Sequence, residues 1–200
     1  MGSTKHKVNK FLFVDIETSG LEMGTLTPWG SGDNLYQVLQ IGAIVCDGNF
    51  NEVDHIKIEI QFNEEKYAWS PKAEAVHGLT REYLAANGMH EEDAVAAFCE
   101  FVYRWFGKSG ICVGGTNAGT FDKPWLQHWI KSHGIDFTFG HRNIDTFPLA
   151  RVLFDAHDSN ETFAVLGIER TTHDALSDVR ASLQFVQMVK QLWDTALERT

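Results

Sequence analysis

Two acids interrupt an apolar, β-branched segment near the start of the chain. Asp15 and Glu17 lie within residues 11–20 (FLFVDIETSG). Because side chains alternate along a strand, both carboxylates would face the same side, about 6–7 Å apart. The two negative charges repel each other, and their removal from water is costly unless a cation lies between them. Mg²⁺ is such a cation, because it prefers oxygen ligands. A solvated strand end would give the same pattern, so the interpretation depends on whether further acids accompany the pair.

A third acid follows a short predicted strand. Asp122 comes after Asn117 and Phe121 in the segment NAGTFD and stands at the predicted start of a helix. An acid in the first helical turn complements the helix dipole, and Asn in a Gly-bounded turn is an ordinary turn residue. However, α/β sheets bind ligands at the carboxyl ends of their strands, where this segment lies. Asp122 is therefore a candidate ligand.

A fourth acid lies on the apolar face of the predicted C-terminal helix. His173 and Asp178 are five residues apart, which on one helix is a rotation of about 140° and places them on different faces. The better arrangement has His173 in the preceding loop, Asp174 at the N-cap and Asp178 one turn inside. An inward-facing acid is costly unless paired or metal-bound, and a histidine beside it is a candidate general base.

Hydrophobic periodicity predicts the elements that position these residues. Residues 11–17, 37–46 and 55–62 are typical of strands, and the turn residues at 47–49 favour an antiparallel meander. The other predicted elements are short helices over 71–87 broken at Gly78, a helix over 91–106, a strand over 111–114, a helix over 121–131, a strand over 143–145, and helices over 147–155 and 174–197. This order predicts an α/β fold with a mixed sheet flanked by helices.

Composition limits the class of protein. The 200 residues are 44% hydrophobic and 22% charged, which predicts one globular domain over residues 11–200 after a flexible leader, residues 1–10. No apolar run reaches the roughly 20 residues that span a bilayer, so no membrane association is expected. The net charge of −10 argues against gripping long duplexes through phosphate neutralisation, but not against holding a few nucleotides at a metal centre.

The cysteines indicate the compartment. Cys46, Cys99 and Cys112 are odd in number, far apart and set among apolar neighbours, without zinc-binding spacing. We expect them to be small core residues in a reducing cytoplasm.

Together the motifs resemble those of the DEDD superfamily of 3′–5′ exonucleases, histidine subtype. This group contains the proofreading epsilon subunit of bacterial DNA polymerase III, ribonuclease T and oligoribonuclease. Each family motif has a match, in the family's order: Asp15 and Glu17 for the first, Asn117, Phe121 and Asp122 for the second, and His173 with Asp178 for the third. Residues 76–80 (VHGLT) resemble the His-Gly-Ile/Leu-Thr element of epsilon-like members, and Asp145-Thr146 resembles their Asp-Thr.

The resemblance implies a fold and a metal centre. The fold would be ribonuclease H-like, a mixed five-stranded sheet with three antiparallel strands followed by two parallel ones. Two divalent cations, Mg²⁺ or Mn²⁺, would be held by four acids, with Asp15 bridging both, Glu17 and Asp178 completing one site and Asp122 the other. His173 would be the general base for the attacking water.

The resemblance also implies a substrate-binding set. Thr18, Ser19, Gly20 and Leu21 would cradle the terminal nucleotide, and His77, Asn117 and Phe121 would complete the set. Leu21 would wedge between bases, although ordinary core packing explains a leucine equally well. Trp29, in the long loop over residues 22–34, would stack on a base or, slightly favoured, anchor its own loop.

The predicted function is release of nucleoside monophosphates from 3′ ends of single-stranded or frayed nucleic acid. The His-Gly-Leu-Thr element favours DNA. The alternatives are an RNA-trimming exoribonuclease, a hydrolase of small phosphoesters or cyclic nucleotides, and a non-catalytic binding module, which the five filled motif positions disfavour. A homodimer and a polymerase or repair partner both stay open.

Overall fold

A five-stranded mixed sheet forms the centre of the computed structural model, which describes residues 10–21, 36–107, 110–169 and 173–198. Its strands are β1 (Phe11–Thr18), β2 (Val38–Cys46), β3 (Glu52–Glu59), β4 (Val113–Gly115) and β5 (Asn143–Asp145). The order across the sheet is β3-β2-β1-β4-β5. The first three strands are antiparallel, and β4 and β5 run parallel to β1. The predicted ribonuclease H-like arrangement is confirmed.

The third strand begins three residues earlier than the sequence pattern predicts. Asp47 closes the turn by accepting the backbone N–H groups of Asn49 and Asn51. Pairing with β2 therefore starts at once, with Glu52 opposite Cys46. The early part of β3 is an exposed edge, so it lacks the apolar alternation by which a strand is recognised from sequence.

Seven helices lie among the described residues: α1 (Pro71–His77), α2 (Arg81–Asn87), α3 (Glu91–Phe106), α4 (Asp122–Ser132), α5 (Thr146–Phe154), α6 (Ser159–Ala164) and α7 (Ala175–Leu197). The sequence pattern missed only α6, which is too short to show periodicity. No helix in the described ranges is long and apolar enough to cross a membrane. Residues 1–9 and the segment 22–35 with Trp29 lie outside the described residues, so the leader and the role of Trp29 stay predictions.

Helices cover both faces of the sheet, and the alternation of β1 divides its side chains between them. Leu12, Val14 and Ile16 pack in one apolar cluster with α3 and α4. Phe13 packs in the other cluster with α6 and α7. Because Asp15 and Glu17 continue the alternation that begins at Phe13, they belong to the face covered by α7.

Two of the three cysteines are buried, and Cys112 is only half-buried, contrary to its predicted core position. Cys112 lies just before the short edge-proximal strand β4, beside a surface cavity. Desolvation raises the pKa of Cys46 to about 12 and that of Cys99 to about 11. At these pKa values neither thiol ionises appreciably near neutral pH, so neither forms the thiolate that reacts.

Alkylation of the native protein by iodoacetamide at mildly alkaline pH is therefore expected to modify Cys112 first. Peptide mass spectrometry over time would follow each thiol. Cys46 and Cys99 should react only after denaturant is added, and equal rates for all three in the native protein would contradict this burial pattern.

Candidate active site

The first two acids lie at the carboxyl end of the central strand. Asp15 and Glu17 are half-buried on β1, opposite Gly42 and Gln40 of β2. On the other side of β1, the parallel strand β4 pairs only with Leu12 and Phe13. The end of β1 that carries the acids therefore lies beyond the last β4 pairing, where a parallel sheet leaves room for a ligand.

The start of α7 rests directly on the sheet because β2 has a glycine there. A Cβ built on Gly42 would lie 2.4 Å from the backbone of Ala175 and of Leu176. The Gln40 side chain accepts the Ala175 N–H at 2.8 Å, and Lys57 forms an ion pair with Asp174. Sequence reasoning missed these positioning residues, although a glycine inside an apolar strand is a signal of close backbone approach.

This contact brings three of the predicted residues together. The ligand atoms of Glu17, His173 and Asp178 all lie within 4.8 Å of one another. Asp178 is 6% exposed and lies in the first turn of α7, which Asp174 caps by accepting the Ser177 N–H at 3.0 Å. The predicted N-cap and the inward direction of Asp178 are confirmed. Two carboxylates and an imidazole at this separation are a donor set that fits a divalent cation.

His173 owes its position to an uncommon backbone conformation. Its φ angle of 67° lies in the left-handed region, which residues with a Cβ rarely adopt. This turn stands immediately before Asp174, so the ring stays near Glu17 and does not continue along α7. Strained backbone of this kind is concentrated at functional sites.

Asp122 reaches the same strand from the opposite layer. It is the first residue of α4 and is 3% exposed. Its Oδ1 accepts the N–H of Ile16, the residue between the two acids of β1, at 2.9 Å. Burial raises the pKa of Asp122 to about 7, and the nearby Asp145 adds to this effect. A bound cation would favour the ionised form instead, so this buried carboxyl fits the edge of a metal site, although it is not one of the three groups within 4.8 Å.

Hydrogen bonds among motif residues and two further hydroxyls, those of Thr116 and Ser182, connect the elements of the site. Asp145 accepts the Asn117 N–H at 3.0 Å. The Thr116 hydroxyl lies 2.6 Å from that of Thr146 and 3.0 Å from that of Ser182. Ser182 is one turn beyond Asp178 on α7, so this partly buried chain of hydroxyls ties α7 to the end of β4 and the start of α5. It fixes the helix that bears one acid relative to the loop that leads to another.

The predicted cradle, Thr18 to Leu21, is held by its own side chains. The Thr18 hydroxyl donates to the Gly20 carbonyl at 2.8 Å, and the Ser19 hydroxyl accepts the Gln37 N–H at 2.9 Å. The N–H groups of Gly20 and Leu21 make no hydrogen bond within the part of the chain that the structure describes. The Leu21 side chain is 73% exposed, so the core-packing alternative is wrong and the wedge role stays a prediction.

His77 lies beside the cradle with one unpartnered nitrogen. Its Nδ1 accepts the Leu79 N–H at 2.9 Å, which leaves the proton on Nε2. That buried Nε2 makes no hydrogen bond with the described residues. Burial lowers the pKa of His77, and the nearby Glu74 carboxylate and Thr18 backbone offset only part of this effect. A neutral ring thus holds an unpartnered N–H donor near Thr18 of the cradle and near His173.

The remaining predicted substrate residues stand at the start of α4. Asn117 has an exposed side chain and a left-handed backbone, with φ at 59°. Phe121 is half-buried, with its ring 6.0 Å from that of Trp125. Both stand within five residues before Asp122, and their roles stay predictions.

A family model described as exonuclease matches residues 12–186. Among curated proteins, exodeoxyribonuclease I of Buchnera aphidicola subsp. Baizongia pistaciae is 22% identical over 203 residues, which is 90% of this chain and 39% of the relative. The same enzyme of Buchnera aphidicola subsp. Acyrthosiphon pisum is 23% identical over 207 residues, 92% of this chain and 47% of the relative. The chain therefore spans less than half the length of these relatives.

Solved structures give the same likeness. Escherichia coli exonuclease I in complex with the oligonucleotide 5cy-dT13 aligns with a TM-score of 0.72 and 20% identity, over 92% of this chain and 41% of that chain. The zinc-ion-bound form of the E. coli exonuclease I complex with single-stranded DNA aligns with a TM-score of 0.73 and 22% identity, over 96% and 43%. At this identity the comparison establishes a shared fold.

Proposed function

The chain belongs to the exonuclease family, with the motifs of the histidine subtype of the DEDD superfamily, and on this premise we propose that it removes nucleoside monophosphates from the 3′ end of single-stranded DNA. The observation that carries the proposal is the convergence of Glu17, His173 and Asp178 within 4.8 Å beside the first strand. DNA is favoured because the curated relatives are exodeoxyribonucleases and the solved relatives hold single-stranded DNA.

Exonucleases of this family depend on divalent metal ions, and the carboxylates of this chain fit that requirement. In our proposal Asp15, Glu17, Asp178 and Asp122 hold two such ions, Mg²⁺ or Mn²⁺. When bound, ions in this arrangement lower the pKa of water and neutralise charge on the leaving oxygen. Burial of Asp122 and Asp178 keeps the site in a low dielectric, where such charge interactions are strong.

His173 acts as the general base in this proposal. One of its ring nitrogens lies within 4.8 Å of the ligand atoms of Glu17 and Asp178, so it could accept the proton of a water that attacks a phosphate bound beside those acids through the metal ions they would hold. Histidine is the side chain that most often serves as a general base. The left-handed turn at His173 orients the ring before substrate arrives.

The strand end is recognised mainly by backbone. The N–H groups of Gly20 and Leu21 donate to the terminal 3′-OH, and the Nε2–H of His77 donates to the same nucleotide. The exposed Leu21 side chain wedges between the last two bases. Asn117 and Phe121 contact the nucleotide from the α4 side. None of these contacts depends on base identity, as expected for an enzyme that trims any sequence.

The compartment and the partners complete the proposal. We place the protein in a reducing compartment such as the cytoplasm, which is supported by the burial of Cys46 and Cys99 as free thiols. A homodimer and a polymerase or repair partner stay predictions.

The proposal predicts the outcome of a digestion of 5′-labelled strands. Single-stranded DNA should shorten stepwise from its 3′ end and release nucleoside monophosphates. A chelator should stop the reaction, and Mg²⁺ or Mn²⁺ should restore it. Fully paired duplex DNA and RNA serve as parallel substrates on the same gel.

Each other pattern on the gel has a meaning. Faster trimming of RNA than of DNA would establish the exoribonuclease alternative. Activity that survives chelation, or release of the labelled 5′ nucleotide first, would contradict the assignment of the acids as metal ligands for 3′ trimming.

A further inference from the structure

A cavity of about 300 Å³ adjoins the cradle at the end of the sheet that carries the acids. Tyr36, Gln37 and Val38 form one of its walls. The same segment supports the cradle, because the Gln37 N–H donates to the Ser19 hydroxyl and a Cβ built on Gly20 would lie 2.4 Å from the Tyr36 ring. The cavity and the cradle therefore share a wall.

The opposite wall belongs to α4, the helix that begins at the proposed metal ligand Asp122. His128, Trp129 and Ser132 line the cavity from the second half of α4, whose first residue is Asp122. Seven residues of helix separate Asp122 from Trp129, a rise of about 10 Å. The cavity therefore lies about two helical turns along α4 from Asp122, and none of the residues Thr18 to Leu21 lines it.

Its accessible lining combines aromatic faces with a cation. Tyr36 and Tyr67 are half-buried, and Lys66 places its ammonium 4.7 Å from the centre of the Tyr67 ring. The Lys66 side chain is 51% exposed. Aromatic faces stack on bases of any sequence, and a lysine neutralises a phosphate. Lys66 therefore supplies a positive charge at the Tyr67 side of the cavity, in a chain with a net charge of −10.

A buried carboxylate behind the cavity fixes this lining. Glu91 is 8% exposed, and its Oε1 accepts the Tyr67 hydroxyl at 2.9 Å and the Trp129 Nε1–H at 3.0 Å. Glu91 is the first residue of α3, where the helix dipole stabilises a negative charge. The two hydrogen-bond donors and the helix dipole already stabilise the negative charge of Glu91. Its ion pair with Lys66 is weak, because the two charged atoms are 3.6 Å apart and the Lys66 side chain is 51% exposed. The Lys66 ammonium can therefore bind another anion.

We infer that this cavity is a subsite for an upstream nucleotide of the single strand, with Lys66 on its phosphate and the Tyr36 and Tyr67 rings against its base. The inference rests on the proposed function, because it needs the 3′ end to lie in the neighbouring cradle. The strand would pass from the acids over Tyr36 into the cavity. Contact at a second place lets the enzyme hold a shortened strand for the next cut.

The variant Lys66→Ala tests the subsite against two substrates. One is a single strand of about ten nucleotides, long enough to fill a site of ordinary size. The other is the p-nitrophenyl ester of thymidine 5′-monophosphate, which occupies only the cradle. The KM for the strand should rise about 3- to 10-fold with little change in kcat, and the slope of log KM against log salt should fall by about 0.7. The KM for the ester should not change.

A matched lysine provides the control. Lys190 is also a partly exposed lysine paired with a carboxylate, Asp194, but it lies on the far part of α7. Lys190→Ala should leave the KM and the salt slope for both substrates at the wild-type values. Equal effects of the two variants on the long strand would overturn the inference, as would a Lys66→Ala effect that is as large on the ester.

Equilibrium binding separates failure of the subsite from failure of the function. Fluorescence anisotropy of a labelled strand in chelator measures affinity without cleavage. If the wild-type protein did not trim DNA but Lys66→Ala still bound the strand more weakly than the wild type, the subsite would be retained and the nuclease rejected. If the wild-type protein trimmed DNA and Lys66→Ala bound the strand with the same affinity and salt slope as the wild type, the subsite would be rejected and the nuclease retained.

Discussion

Asp178→Asn is expected to lower the rate of 3′ trimming by about 10³-fold or more without unfolding the protein. The change keeps the size of the side chain but removes the negative charge that lies within 4.8 Å of Glu17 and His173. Asparagine offers one oxygen and no charge, so a divalent cation would bind much more weakly. Asp178 is 6% exposed, and replacing a buried charge by an amide leaves little reason for the fold to lose stability. Single-turnover trimming rates with a circular dichroism melt would show both effects.

The same helix offers a control for this change. Asp194 lies near the other end of α7 and pairs only with Lys190 among the described contacts, so Asp194→Asn should trim at the wild-type rate. Mn²⁺ titration should show a loss of affinity for Asp178→Asn and none for Asp194→Asn. Wild-type trimming by Asp178→Asn would end the assignment of the metal centre, and we expect Asp15 and Asp122 to behave like Asp178.

Gly42→Ala is expected to reduce trimming by about 10²-fold, although Gly42 makes no contact with substrate in our proposal. The new methyl would lie 2.4 Å from the backbone of Ala175 and of Leu176. Backbone atoms of a helix cannot move aside as the end of a flexible side chain could. The first turn of α7 must therefore shift away from β1, carrying Asp178 and His173 with it. Overpacking of this kind costs about 1–3 kcal/mol of unfolding free energy. Trimming well below the melting temperature, together with a denaturant titration, measures the two effects separately.

A second glycine distinguishes displacement of the helix from loss of stability. Gly134 has a φ angle of 73°, and a Cβ built on it meets no atom within 4 Å. Gly134→Ala should therefore cost about 1–2 kcal/mol of backbone strain and leave trimming unchanged. If Gly42→Ala and Gly134→Ala lost stability equally and both kept full activity, the close contact of α7 would have no role in positioning the acids.

Much of this architecture is available from sequence because it depends on near neighbours. Alternation along β1 places Asp15 and Glu17 on one face, and Asp174 caps α7 four residues before Asp178, as the spacing predicts. The exposed start of β3 and the six-residue helix α6 (Ser159–Ala164) escaped notice because neither shows an apolar period. The resemblance to an exonuclease family supplied the proposed roles of these residues, and the family itself is confirmed by the model that matches residues 12–186.

The amino-acid sequence by itself determined which side chains this protein has for chemistry, which strand and helix carry them, and which face of each element they occupy. Only the tertiary structure decided that they meet. The distance from Glu17 to Asp178 depends on how closely α7 rests on β2, which the missing side chain of Gly42 and the Gln40 bond set. The position of Asp122 depends on an N–H of Ile16 that is 106 residues away in the chain. Periodicity encodes direction within one element, whereas contact between elements is fixed by packing among residues that are distant in sequence.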